Sequence, residues 1–194
     1  MLRTLLDDLV FCAIDFETAD RRKTSACAVA VVRVEAGQIA DRHLQLIKPP
    51  ASSFPFARLH GITAEDVAAA PDFKEVWSDL APVCEGVHFI AAHNAAFDRA
   101  LLRVGCEGAR VPLPRAPFVC TAELARRCLH LTSAGLPEVC AHLGISLDHH
   151  NPLSDAEACA RVALATEPRL VEDSLSGRCF VTFGDSVKVR LAPS

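Results

Sequence analysis

Residues 9–16 read LVFCAIDF, a nearly continuous apolar run. A strand with one wet face alternates apolar and polar residues, whereas a run without alternation reads as a strand buried on both faces. Such a strand needs packed layers above and below it. Residues 25–34 (SACAVAVVRV) read as a second strand, a turn follows at Glu35-Ala36-Gly37, and residues 38–47 (QIADRHLQLI) read as a third. The short links predict an antiparallel meander.

From Pro49-Pro50 to about His60 the pattern is irregular. Thr63 then begins TAED, the S/T-x-x-D spacing of a capped short helix. A second helix is expected over 72–83. Residues 87–92 (VHFIAA) read as a strand running into Asn94, a good N-cap, and a helix over 95–104. A short strand over 117–120 follows, then helices near 121–130, 136–143 and 153–165, the last with Pro152 near its start. A meander followed by strand–helix alternation gives an α/β three-layer fold: a central mixed sheet, first antiparallel and then parallel, flanked by helices. Residues 1–166 make this domain. Residues 167–194 read as an appendage in which FVTFGDSVKVR forms a hairpin turning at Gly184-Asp185. Pairing with a second copy or a partner is one role for it.

Composition narrows the function. Hydrophobic residues make up 51% and charged residues 23%, enough for a core and against disorder. A net charge of −4 argues against a broadly basic nucleic-acid binder. It leaves a nuclease open, because bound metals and local Lys or Arg residues attract phosphates to an acidic site. The clusters Arg21-Arg22-Lys23 and Arg126-Arg127 read as solvated surface. The nine cysteines are odd in number and form no C-x-x-C pair. Most sit in apolar runs, as Cys12, Cys27, Cys140 and Cys159 do, and read as reduced core thiols of a cytoplasmic protein rather than a disulfide scaffold or a zinc site. Trp77 lies in a helical run and reads as core. MLRTLLDDLVF has too short an apolar stretch for a signal peptide. No run approaches the length of a membrane span, so none is expected.

Three constellations carry chemistry. Asp15 and Glu17, two apart at the end of the first strand, share a face. Paired carboxylates repel unless a cation neutralises them, and hard oxygens suit Mg²⁺ or Mn²⁺. On that spacing alone, a pair of exposed acids is the simpler account. In His93-Asn94-Ala95-Ala96-Phe97-Asp98 a strand ends and a helix begins. Asp98 then sits on the first turn, where the helix dipole favours negative charge; ordinary capping explains this equally well. In His150-Asn151-Pro152-Leu153-Ser154-Asp155 the acid falls on the first turn of the last helix with His150 on the loop before it. A histidine beside a divalent ion can take a proton from an attacking water, although a lone loop histidine is more simply solvent-exposed, and His149 is adjacent.

Taken together, D-x-E-T, H-N-x-x-F-D and H-x-x-x-x-D, in this order and spacing, resemble the DEDDh 3′–5′ exonucleases of the RNase H-like fold. The likeness is closest to the bacterial proofreading exonucleases of the DNA polymerase III epsilon-subunit type and covers roughly residues 9–166. His60-Gly61-Ile62-Thr63 also matches a loop of that group. The resemblance implies a two-metal phosphodiester hydrolase that releases nucleoside 5′-monophosphates from DNA or RNA 3′ ends, with Mg²⁺ or Mn²⁺. It implies that Asp15, Glu17 and Asp155 bind the first ion, that Asp15 is shared with the second, that Asp98 supports the second, and that His150 is the general base. Thr18, His60 and Phe97 would meet the terminal nucleotide, while His93 and Asn94 would organise the helix start.

The chain departs from the pattern in places. It contains no tyrosine, which excludes a tyrosine in place of the base and disfavours oligoribonuclease-like relatives. It has no Q-x-x-L-x-[LF] clamp-docking segment. The alternatives are a catalytically silent nucleic-acid-binding or assembly module, and a phosphodiesterase acting on a small nucleotide.

Overall fold

The computed structural model describes residues 9–173, 178–184 and 187–191. In chain order they form β1 (Val10–Thr18), β2 (Ala26–Glu35), β3 (Gln38–Leu46), α1 (Ala57–His60) and α2 (Phe73–Leu80). These are followed by β4 (Phe89–Ala92), α3 (Ala96–Ala109), β5 (Phe118–Cys120), α4 (Thr121–Cys128), α5 (Leu136–Leu143) and α6 (Pro152–Ala165), and then by β6 (Pro168–Asp173), β7 (Arg178–Phe183) and β8 (Val187–Arg190). The main sheet has five strands in the order β3-β2-β1-β4-β5. β1 pairs antiparallel with β2, and β2 with β3; β4 runs parallel to β1, and β5 to β4. This is the expected mixed sheet flanked by helices.

The apolar run of β1 lies at the centre. Its alternate side chains serve two layers. Cys12, Ile14 and Phe16 pack against Val76, Trp77 and Leu80 of α2 and Leu101, Leu102 and Cys106 of α3. Phe11 and Ala13 face the other way, onto Ala156, Cys159 and Ala160 of α6 and Leu124 of α4. Asp15 and Glu17 continue the second series, so β1 aims both acids at the α6 side. α5 packs on α4 and α6 through Leu136, Val139 and Cys140. β3 is an edge strand and mostly exposed.

Four local expectations are corrected. TAED does not start a helix. Thr63 N–H donates to Asp66 Oδ2 at 2.7 Å and Asp66 N–H to Thr63 Oγ1 at 3.4 Å, but the reciprocal pair closes only turns over 64–69. Pro71 disfavours helix at Ala70, so the turns do not extend into a helix. Asn94 is not the N-cap of α3. It takes the left-handed conformation (φ 63°), and the cap falls on Ala95 without a side-chain bond. A sharp turn from β4 into α3 requires that conformation, which asparagine tolerates. α3 also continues past 104 to Ala109. Gly105 lies inside this helix, where a Cβ would run into the Phe73 ring, so it marks close packing of α3 on α2. The helix expected over 72–83 is α2, held by an Asp72–Glu75 capping box, then a 3-10 turn over Ala81–Cys84 that contains Pro82.

Beyond α6, β6, β7 and β8 form a separate three-stranded antiparallel sheet. The expected hairpin is β7–β8; of its turn, Gly184 is described and Asp185 lies outside the described residues, as do Met1–Asp8. β6 is a third strand not read from the sequence. One face of this sheet buries Val181 and Phe183 against the core, with the Phe183 ring edge-on to Phe89 at 5.3 Å. Among the described residues no helix is long and apolar enough to cross a membrane.

Candidate active site

β4 pairs with β1 only over Phe11–Ala13. The end of β1 therefore runs past its parallel neighbour and leaves backbone donors open on that edge. Asp98, on the first turn of α3, fills the gap: Phe16 N–H donates to Asp98 Oδ1 at 3.1 Å. From the other layer comes Asp155. The Asn151 side chain caps α6 by accepting from Leu153 N–H at 3.2 Å and Ser154 N–H at 3.4 Å, and Pro152 occupies the first helical position. That start sets Asp155 on the turn facing β1. The ligand oxygens of Asp15, Glu17 and Asp155 lie within 4.8 Å of one another.

Burial and crowding shape the charge of this cluster. Asp98 is 2% exposed and Asp155 is 5% exposed. Burial raises the Asp15 carboxyl well above its usual range, and Asp98, Asp155 and Glu17 push it further by repulsion. Burial and the Asp155 charge push Glu17 up to about 7. Burial likewise brings Asp98 to about 7, against the opposing bond from the Phe16 amide. Asp155 is raised by burial, with the His150 amide and His149 acting the other way. Hard oxygen donors that mutually oppose ionisation suit a divalent cation, which would favour their charged forms.

The two histidines sit directly against Asp155. His150 N–H donates to Asp155 Oδ2 at 3.0 Å, and His149 Nδ1 lies 3.1 Å from the same oxygen. The His149 and His150 rings stack at 3.9 Å. His150 has φ 70°, a left-handed turn that brings its amide back to Asp155 and leaves its ring half-buried. The ligand atoms of His149, His150 and Asp155 also fall within 4.8 Å of one another. Sequence reading set His149 aside; its bond to Asp155 through six residues of loop and helix leaves no signature in the sequence.

His60, at the end of α1, accepts from Ile62 N–H at its Nδ1 (3.1 Å), which leaves Nε2–H to donate to the Thr18 carbonyl at 3.1 Å. Its pKa is lowered by burial, opposed by the Thr18 bond, with His150 lowering it further. Thr18 is buried. Phe97, on the first turn of α3, is 40% exposed. Lys23, expected on solvated surface, instead places Nζ 3.7 Å from the centroid of the Phe97 ring. His93 turns away from the acids: its Nε2–H donates to the Ala134 carbonyl at 2.9 Å, and its Nδ1 accepts from the Thr121 hydroxyl at 2.9 Å. It ties the end of β4 to α4 and the α5 approach, which is an organising role. A cavity of about 770 Å³ lies away from all of these residues, between the turn at 84–88, residues 112–117 and the second sheet.

Comparison with known proteins places the arrangement. The family model RNase_T, described as exonuclease, matches residues 12–163. The PolC-type DNA polymerase III of Thermotoga maritima is 32% identical over 173 residues, covering 84% of this chain and 13% of that protein. A DNA polymerase III subunit epsilon-like protein of Rhodobacter capsulatus is 34% identical over 109 residues, 53% of this chain and 15% of that protein. The chain thus spans about an eighth of the length of the PolC-type relatives it matches. Among solved structures, exonuclease X in complex with 5′ overhanging duplex DNA superposes with TM-score 0.66 at 24% identity, covering 80% of this chain and 89% of that one. The nuclease domain of 3′hExo, a DEDDh family member bound to rAMP, gives TM-score 0.70 at 20% identity over 81% and 90% of the two chains. These likenesses place the same fold around the acidic cluster, and with the family match over most of the chain they show that it belongs to the RNase T-type exonuclease family, the DnaQ-like 3′–5′ exonucleases.

Proposed function

We propose that this protein hydrolyses the 3′-terminal phosphodiester of DNA or RNA strands and releases nucleoside 5′-monophosphates. The observation that carries the reading is the convergence of Asp15, Glu17 and Asp155 within 4.8 Å, with Asp98 bonded to the backbone between the first two. Asp15, Glu17 and Asp155 would hold one divalent ion, and Asp15 with Asp98 a second, Mg²⁺ or Mn²⁺ being the fitting hard cations. Ions held there would neutralise the carboxylates and the phosphate, and lower the pKa of the attacking water.

The chain's own groups do the rest. His150 is the general base. Its amide anchors the loop on Asp155, and its ring is left to take the proton. Phe97 stacks on the terminal base without reading its identity. His60 braces Thr18 through the carbonyl bond, and both line the place of the terminal sugar. A strand end as substrate is supported by two structural neighbours: exonuclease X was solved with 5′ overhanging duplex DNA and 3′hExo with rAMP. Residues 1–166 are the hydrolytic unit in this reading. The nine thiols, all free, fit a reducing cytoplasm.

The test is release of mononucleotides from 3′- and 5′-labelled DNA and RNA strands, with Mg²⁺, Mn²⁺ or EDTA, for wild type and Asp15→Ala. Metal-dependent trimming from the 3′ end, lost in Asp15→Ala, is expected, and the DNA/RNA ratio names the substrate. A protein that leaves every strand intact overturns the reading. Cleavage confined to dinucleotides would favour a small-nucleotide phosphodiesterase.

A further inference from the structure

The second sheet lies outside the family match, which ends at residue 163. Its inner face is core: Leu170, Val181 and Val189 lie in register, as do Pro168, Phe183 and Val187. Strand alternation sends the intervening residues to solvent. Register sets them in two rows that span all three strands, Arg169, Thr182 and Lys188, and then Val171, Phe180 and Arg190, beyond which β6 and β7 alone pair Asp173 with Arg178. Arg169, Val171, Lys188 and Arg190 are exposed, and Phe180 and Thr182 half-buried. Three cations and an aromatic ring thus share one small face of a chain whose net charge is −4. Among the described residues no acidic side chain stands in these rows. Arg169 pairs with Glu167 at 3.2 Å, but both are largely exposed, and such a pair holds weakly. Lys188 Nζ lies 3.8 Å from the centroid of the Phe180 ring.

We infer that this face is a second nucleic-acid contact, a single-strand platform that grips substrate upstream of the end being cut. Cations that track a phosphate backbone beside an aromatic ring are the components of sequence-tolerant single-strand binding. In the free protein the Lys188 ammonium covers the Phe180 ring. On binding, a base takes its place and the ammonium moves to phosphate. The inference rests on the proposed action on nucleic-acid strands, and it adds a length requirement. Asp155 and Ala165 stand at opposite ends of α6, about 15 Å apart at 1.5 Å per residue, and β6 starts just beyond. At about 3.4 Å per stacked nucleotide, a strand touching both places needs roughly five nucleotides or more. Very short strands reach the acidic cluster alone.

The experiment measures binding separately from turnover. Fluorescence anisotropy is recorded with labelled 3-mer and 20-mer single strands in Ca²⁺ buffer over a salt series. The proteins are the full wild-type chain, the triple variant Arg169→Gln/Lys188→Gln/Arg190→Gln, and Phe180→Leu. The charge substitutions touch only exposed side chains, and an unchanged melting temperature verifies the fold. The triple variant is expected to bind the 20-mer at least ~10-fold more weakly, with the 3-mer unaffected. Its log–log salt slope should be shallower by about 2, since each lost phosphate contact on a single strand contributes roughly 0.7. Phe180→Leu should weaken the 20-mer with the salt slope retained. Unchanged 20-mer affinity and slope in the triple variant overturn the platform, even where 3′ trimming itself is confirmed. A wild-type dimer that the triple variant converts to monomer, with strand affinity unchanged, overturns it in favour of a contact between two copies. If 3′ trimming fails while the salt-slope difference persists, the hydrolytic reading falls and the platform stands.

Discussion

The amide of Phe16 donates to Oδ1 of Asp98 at 3.1 Å, so one oxygen of the α3 acid is committed to the backbone that carries Asp15 and Glu17. Asp98 therefore has a structural task and an electrostatic one, and two substitutions separate them. Asp98→Asn keeps an oxygen acceptor for the amide while it removes a charge from a crowded site. Its melting temperature in EDTA should equal or exceed that of wild type, and trimming should fall about 10–100-fold or more, as for loss of a metal-supporting group. Asp98→Ala leaves the buried amide unpaired and should cost a further ~1–3 kcal/mol of stability. Thermal melts and single-turnover trimming decide it. Equal stability of the two variants would remove the structural task, and wild-type trimming by Asp98→Asn would remove the electrostatic one.

Glu17 makes the pH dependence explicit. Its carboxyl is pushed up to about 7 by burial and the Asp155 charge, above the ordinary value near 4.5. The folded state thus binds its proton more tightly than the unfolded chain does. Stability from this group is fully present below about pH 4.5 and is lost as pH rises toward 7. In EDTA, wild type should lose melting temperature between pH 5 and 8 relative to Glu17→Gln, which cannot ionise there. Saturating Mg²⁺ or Mn²⁺ should shrink that difference, because a bound cation favours the ionised form. Parallel pH profiles for the two proteins in EDTA would show that Glu17 is not held in this way.

These two acids also show what the sequence could reveal. Alternation along an apolar strand is a local rule, and it correctly placed Asp15 and Glu17 on one face. Pro152 is a local start signal, and it correctly put Asp155 on the first turn of α6. The errors came where a local signal competes with the surrounding fold. Thr63 and Asp66 form their reciprocal bonds, yet Pro71 disfavours helix at Ala70 and the segment stays in turns. Asn94 had the residue type of a cap but served a left-handed turn between β4 and α3. β6 was missed because Pro168 and two acids, Glu172 and Asp173, weaken its strand pattern, and its pairing with β7 is fixed by tertiary register. Lys23 meets Phe97 across the fold, and His149 meets Asp155 over the six residues from loop to helix, and neither contact has a spacing to read.

The stacked pair His149–His150 poses a choice that substitution can resolve. His149 spends Nδ1 on Asp155, whereas His150 meets Asp155 through its amide, and its ring would take the proton if it is the proposed base. His150→Asn suits the left-handed backbone at φ 70° and removes the base. Its kcat should drop by about 10²–10⁴-fold, with KM and melting temperature near those of wild type. His149→Gln should cost less in kcat and act through ion affinity, visible as a higher Mn²⁺ concentration at half-maximal rate. Steady-state kinetics over an Mn²⁺ series checks both. A larger kcat loss in His149→Gln than in His150→Asn would reverse the assignment.

Lys23 over Phe97 tests the substrate side. The ring is 40% exposed beside the acidic cluster, and an exposed aromatic gains from a partner; at present that partner is an ammonium. If the terminal base stacks there, Phe97→Ala should lose roughly 1–3 kcal/mol of binding. That loss reads as a KM raised roughly 5–150-fold, with a smaller change in kcat. Lys23→Gln removes the ammonium over the ring and leaves the ring; if that ammonium meets phosphate once a base stacks there, KM should rise less and the salt slope of binding should become shallower by about 0.7. The two substitutions share one contact, so their effects in the double variant should fall short of additive. Full additivity, or an unchanged KM in Phe97→Ala, would mean that the lysine and the ring hold each other and not the strand.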